Sequence, residues 1–321
     1  MSTLGLRGPA RVVVRRHHRT LWTIGALAGA GIVAVAGTYL WMSSVSDTFA
    51  GTGCSVEHTV SGCGVAVRHF LSSEFVFSRL LTYASLVMLL LPALIGMFVA
   101  GPMFGRELES GTYRLAWAQS VTPARWLAVN LAVPAVLSLV GMSVLSAVYA
   151  WARARADLTH YPSAWYNREV YGSMGTVPAG YALCMLAFGA LAGLVLRRTV
   201  SAMFVTVIGY GALVIALNTV RNDLWPARTV TSAAGSGLRI PHGASGAGHG
   251  WLTSGGKRLP AGVCPDSAAD CLAGKDITLR YLDYHPASHF WPLQLVETGI
   301  LLVLAAAAVA LAFRVLRRRH G

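Results

Sequence analysis

The sequence predicts an all-α membrane protein. It should have six transmembrane helices, a short cytoplasmic interfacial helix between helices two and three, and a large extracellular loop before helix six. Three observations carry this. The chain of 321 residues is 55% hydrophobic but only 12% charged, about half the charge of a soluble domain. Its mean hydropathy is +0.55. Its apolar residues gather into six blocks, each near the ~20 residues a helix needs to cross a bilayer core. Unbroken apolar runs of this length satisfy their backbone in lipid only as helices, and the alternation of a membrane barrel is absent.

Residues 1–20 form a basic N-terminus. The first span, Leu21 to Met42, is bracketed by Trp22, Tyr39 and Trp41, as an interfacial aromatic belt would be. Gly25 and Gly29 give it a small-xxx-small face suited to close helix packing. The run is too long for a cleaved signal peptide, and no small-residue cleavage site follows it. An outer loop, 43–78, leads to the second span, Arg79 to Ala100. The third span, Trp126 to Ala150, is launched by Thr122-Pro123, a capping residue followed by proline at the first helical position. Pro92 and Pro134 lie inside spans, where they interrupt the hydrogen-bond ladder. A second outer loop, 151–177, precedes the paired spans Pro178 to Leu196 and Thr199 to Thr219. Residues 220–291 form the third and largest outer segment, the one candidate subdomain outside the membrane. Its Gly/Ser-rich part, roughly 232–256, reads as flexible, whereas Ile277 to Trp291 reads as ordered. The sixth span, Pro292 to Phe313, and a basic tail complete 292–321.

The charges orient the chain. With both termini placed in the cytoplasm, the inner segments hold 14 of the 26 lysines and arginines but only Glu107 and Glu109 of the 13 acids. This is the positive-inside asymmetry. The formal net charge of +13 then faces anionic lipid headgroups. No basic stretch is interleaved with aromatics in a soluble module, so nucleic acid is not an expected partner. Four of the five cysteines, Cys54, Cys63, Cys264 and Cys271, fall in outer loops, the oxidising side. They predict two disulfides, with the local pairings 54 to 63 and 264 to 271 favoured among three connectivities.

Enzyme classes fail on particular residues. All ten histidines lie outside the six blocks, which argues against an intramembrane Ser-His or histidine-ligated metal protease. "GWLTSGGKR" misses the phosphate-loop register, because Trp251 stands where its first glycine is needed and Arg258 where Ser or Thr is needed. No catalytic residue, cofactor or metal site is expected. Charges inside the blocks are few. Arg79 opens span two and Glu297 lies five residues into span six. Unpaired charge at that depth is costly, so the two are a candidate outer gate.

One cluster stands out. The inner segment 102–124 carries Arg106, Glu107, Glu109 and Arg114 in an otherwise charge-poor chain. Met103 to Ser110 can form a short interfacial helix with Phe104 and Leu108 on one face, broken by Gly111-Thr112. The segment "GPMFGRELESGTYRLAWAQSVTPARW" resembles the corresponding loop of ABC type 2 transporter permeases. So do "GALAGLVLRRTVSAM", between spans four and five, and "HPASHFWPLQLVETG", at the entry to span six. The resemblance covers essentially the whole membrane portion. It implies a permease that works as a dimer, with a second copy or a paralogue, and that is served by a separate cytosolic ATPase pair. It also implies that Arg106, Glu107, Glu109, Gly111, Thr112 and Arg114 form the ATPase-docking loop.

The expected function is therefore the membrane-spanning subunit of an ATP-driven exporter in a bacterial plasma membrane. Two alternatives stand beside it. An ion-coupled secondary transporter is disfavoured by the sparse buried carboxylates and the lack of paired broken helices. A non-transport scaffold or immunity protein would bind its ligand through the large outer loop.

Overall fold

Six helices of the computed structural model are long and apolar enough to cross a membrane. The structure describes residues 18–58, 60–111, 122–155, 159–265 and 269–320. The chain divides into two units. The first is Met1–Ser163, Asn167–Val214 and Thr298–Gly321; the second is Ala164–Tyr166 and Ile215–Glu297.

The first unit is helical. Helix α1, His18–Gly51, and helix α2, Gly64–Leu94, both run beyond the blocks of apolar sequence. The expected outer loop 43–78 thus shrinks to a short connection. Phe49 stacks on Phe70 with ring centroids 4.4 Å apart, and a Cys54–Cys63 disulfide closes the hairpin. These contacts stabilise helical turns that hydropathy alone does not mark. Among the described residues, no neighbour comes within 4 Å of a Cβ built on Gly25 or Gly29.

Helix α2 does not end at a loop. It passes through a π-helical turn, Ile95–Ala100, into α3, Gly101–Ser110. The inner helix expected as a separate element is therefore continuous with span two. Gly111, at φ 72°, adopts the left-handed conformation that ends α3. Helix α4, Pro123–Arg155, begins as its sequence predicts: the Arg125 backbone N–H donates to Thr122 Oγ1 at 3.3 Å. The short α5, Arg168–Tyr171, leads into α6, Val177–Leu196. Arg197 and Arg198 alone separate α6 from α7, Thr199–Val220. The last helix, α9, is Phe290–His320.

Helix α6 is the centre of this unit. It packs against α2, the π turn, α3 and α4, and 72% of its most apolar window is buried. Its small residues Gly180, Gly189, Ala190 and Gly193 make that possible. A core of Phe104, Trp126, Leu127, Leu186, Leu194 and Leu316 ties α3, α4, α6 and α9 together. Phe104 meets Trp126 edge-on, with centroids 5.5 Å apart.

The second unit corrects the all-α expectation. It contains a four-stranded antiparallel sheet in the order β1-β4-β2-β3. The strands are β1 (Arg228–Ala233), β2 (Ser245–Thr253), β3 (Arg258–Pro260) and β4 (Ile277–His285). The stretch read as flexible supplies β2, which pairs on both sides. One of its glycines serves contact: a Cβ on Gly250 would lie 2.3 Å from the Leu259 carbonyl oxygen. Trp251 is buried with Cys264, Leu272 and Ile277, and its indole donates to the Ala261 carbonyl at 3.1 Å. A small helix, α8 (Ala269–Gly274), is fastened by the Cys264–Cys271 disulfide.

Candidate coupling site

The charge cluster is set by close backbone contact beneath it. A Cβ on Gly193 would lie 3.0 Å from Gly105 N and 3.1 Å from Gly101 O. One on Gly189 would lie 2.6 Å from Gly96 O, and one on Gly96 2.8 Å from Met185 O. The π turn and α3 therefore meet α6 backbone against backbone, along a seam that larger residues would force apart. Gly105 continues the seam, since its Cβ would lie 3.1 Å from Thr199 Cα. π-helical turns inside α-helices recur where function needs an altered ladder. This one lies at the seam, three residues after Pro92.

On this frame the predicted residues separate. Arg106 is exposed and Glu107 half-buried. Glu109 Oε2 accepts from the Thr199 backbone N–H at 3.1 Å and from Thr199 Oγ1 at 2.9 Å. A carboxylate thus sits on the first turn of α7, where the helix dipole favours negative charge. Gly111 ends α3, while Thr112 and Arg114 lie outside the described residues. The structure brings together two segments that sequence set far apart: 101–111, holding the cluster, and 189–203, holding Gly193 and Thr199.

The model of the family described as ABC-2 membrane transporter related matches residues 24–221. The chain belongs to this family. Both segments of the seam lie within the match. The match spans the first five transmembrane helices and stops before the sheet, so it does not extend over the span-six segment 285–299, where the sequence also shows resemblance. No curated protein and no solved structure matches the chain.

Elsewhere the ABC-2 membrane transporter related chain buries charges whose partners its sequence did not announce. Glu297 is fully buried, and its partner is Arg221: Nε donates to Oε2 at 3.1 Å and Nη2 to Oε1 at 3.4 Å. Arg79, the partner considered for it in the sequence, lies with its guanidinium 5.1 Å from the centroid of the Phe75 ring. The hydropathy boundaries place Glu74 in the outer loop 43–78. It is fully buried in α2. Its Oε1 accepts from the backbone N–H groups of His160 and Tyr161, at 2.9 and 3.1 Å, and its Oε2 lies 2.9 Å from His160 Nδ1. The signal that could have found Glu74 is its place in the apolar frame of "FLSSEFVFSRLL", which reads as helix rather than loop.

Proposed function

We propose that this chain is the membrane-spanning permease subunit of an ATP-driven exporter in a bacterial plasma membrane. Both termini are cytoplasmic, and a separate cytosolic ATPase pair docks on the segment 102–124. Membership of the ABC-2 membrane transporter related family carries the reading. The docking face includes the exposed Arg106, with Glu107, Gly111, Thr112 and Arg114 completing it and Glu109 at its edge. The physics is that of a lever. Helix α3 is continuous with span two and seated against α6, so a push on its charged rim is passed into the spans, and opposite charge on the ATPase guides the docking. The translocation path forms between two permease copies or paralogues. Val200, Phe204 and Ile208 of α7 are exposed at helical spacing in the single chain, which suits such a partner or lipid. The exposed arginines at 314, 317 and 318 face anionic headgroups.

Affinity purification of the full chain from native membranes tests the docking. An ATPase of the ABC class should co-purify, and recovery should fall at least ~10-fold in the Arg106→Glu/Glu107→Lys variant, as expected when ~1.4 kcal/mol or more of complementarity is reversed. Undiminished recovery would count against the docking face.

A second reading rests on one observation. The family match ends at 221, and the stretch that follows folds into a disulfide-bonded sheet. The chain would then be a membrane scaffold or immunity protein that binds a ligand through 220–291. Loss of function on deleting the sheet, with ATPase recovery unchanged, would favour it.

A further inference from the structure

The two acids of α3 differ in burial. Glu107 stands at the half-buried side of α3. The Glu109 carboxylate is engaged within the chain, by both the backbone and side-chain donors of Thr199. Thr199 is the first residue of α7 and follows the two-residue connection Arg197-Arg198. Beneath it, Gly105 touches the Thr199 backbone and Gly193 touches Gly101 and Gly105. We propose that Glu109 is a positioning residue that clasps the start of span five to the end of span two. The inner ends of α3, α6 and α7 then move as one body. This rests on the docking reading for its purpose, but the clasp itself is a property of the chain alone.

The argument is geometric. A push on α3 reaches span two directly, because no break intervenes between Gly64 and Ser110. It reaches span five only across the gap between α3 and Thr199. Glycine contacts resist compression there but do not resist separation. A carboxylate holding two donors resists separation, and it fixes the register of Glu109 against Thr199. The bond is solvent-exposed, so it adds little to global stability. What it supplies is connection between two elements that the glycine contact alone would let drift apart.

The full chain in nanodiscs gives the test, with Glu109→Ala, Glu109→Gln, Thr199→Ser, Thr199→Val and Glu107→Ala compared. Amide exchange across 199–202 should accelerate about 10-fold in Glu109→Ala, as a lost local bond of ~1.4 kcal/mol would give. It should stay near wild type in Glu107→Ala and in Thr199→Ser, which keeps the hydroxyl donor. Spin labels at positions 106 and 200 should give a narrow distance distribution that broadens in Glu109→Ala and Thr199→Val. A purely structural role would move both of these, so a third readout is taken in the complex. In complex with the co-purifying ATPase, the ATP-dependent shift of a label at 200, measured per ATPase recovered, should fall at least ~3-fold in Glu109→Ala; a merely local structural bond would leave that shift unchanged. Exchange and distances like wild type in Glu109→Ala would overturn the clasp. So would a loss of ATPase recovery in that variant with exchange unchanged, which would make Glu109 a docking residue. If no ATPase is recovered with the wild type, the docking reading fails, and the exchange and distance measurements still decide the clasp.

Discussion

Arg221 and Glu297 form an ion pair of 3.1 Å in which the carboxylate is fully buried and the guanidinium 12% exposed. Asn218 steadies the same arginine, its Oδ1 accepting from Nη1 at 3.1 Å. A buried charge left without its partner typically costs about 3–5 kcal/mol, whereas replacing both partners with apolar groups can cost nothing. Arg221→Met and Glu297→Met should each lower expression and thermal stability strongly. The double variant should recover most of that loss. Thermal scanning of the purified chains checks this; equal damage in singles and double would mean that the pair is not the coupled unit.

The glycine seam makes a sharper steric prediction. Gly189→Val introduces atoms where even a Cβ would lie 2.6 Å from a backbone oxygen, and strain of this kind costs about 1–3 kcal/mol. The midpoint of unfolding should fall by about 5 °C. Gly25→Val and Gly29→Val, whose surroundings are open, should leave the midpoint of the single chain unchanged. A reversed order between these sites would refute the seam.

Glu74 holds two backbone N–H groups and an imidazole. Glu74→Ala strands those donors at a cost of about 1–3 kcal/mol. The expected outcome is faster proteolysis and amide exchange around 159–163, with the α3–α6 seam unaffected. Glu74→Gln keeps an acceptor oxygen and should show a smaller effect. Protection unchanged in Glu74→Ala would show that the segment is held by other contacts.

The bridge in the second unit closes a short loop, with a sequence separation of 7. Loop-entropy arguments give such a bridge about 2–3 kcal/mol. The double variant Cys264→Ser/Cys271→Ser should loosen the cluster around Trp251, seen as a red shift of tryptophan emission. An unshifted spectrum would mean that sheet contacts alone hold Trp251.

What was legible in the sequence follows from the range of the forces involved. Spans are written in local hydropathy, so all six apolar blocks could be read, and Thr122-Pro123 marked a helix start by local capping chemistry. Their ends were less legible. The turns to Gly51 and from Gly64 are held by the Phe49–Phe70 stack, a contact between two helices. The glycine-rich β2 was hidden because composition reads glycine as freedom, whereas Gly250 serves close strand approach. Glu109 could be singled out as a charge in a charge-poor chain, but its partner Thr199 is 90 residues away. Glu74 and Arg221 escaped notice for the same reason: each is defined by a partner distant in sequence, 86 residues away for Glu74 and 76 for Arg221.

The two cysteine bridges also leave a chemical record. A thiol pair persists as a disulfide only where the surroundings are oxidising, and both bridges join residues fewer than ten apart. Each can close as soon as its own segment reaches such surroundings, without waiting for the helices to assemble. If both segments lie in an oxidising compartment, each pair should already be oxidised in freshly isolated chain, whatever the state of the helices.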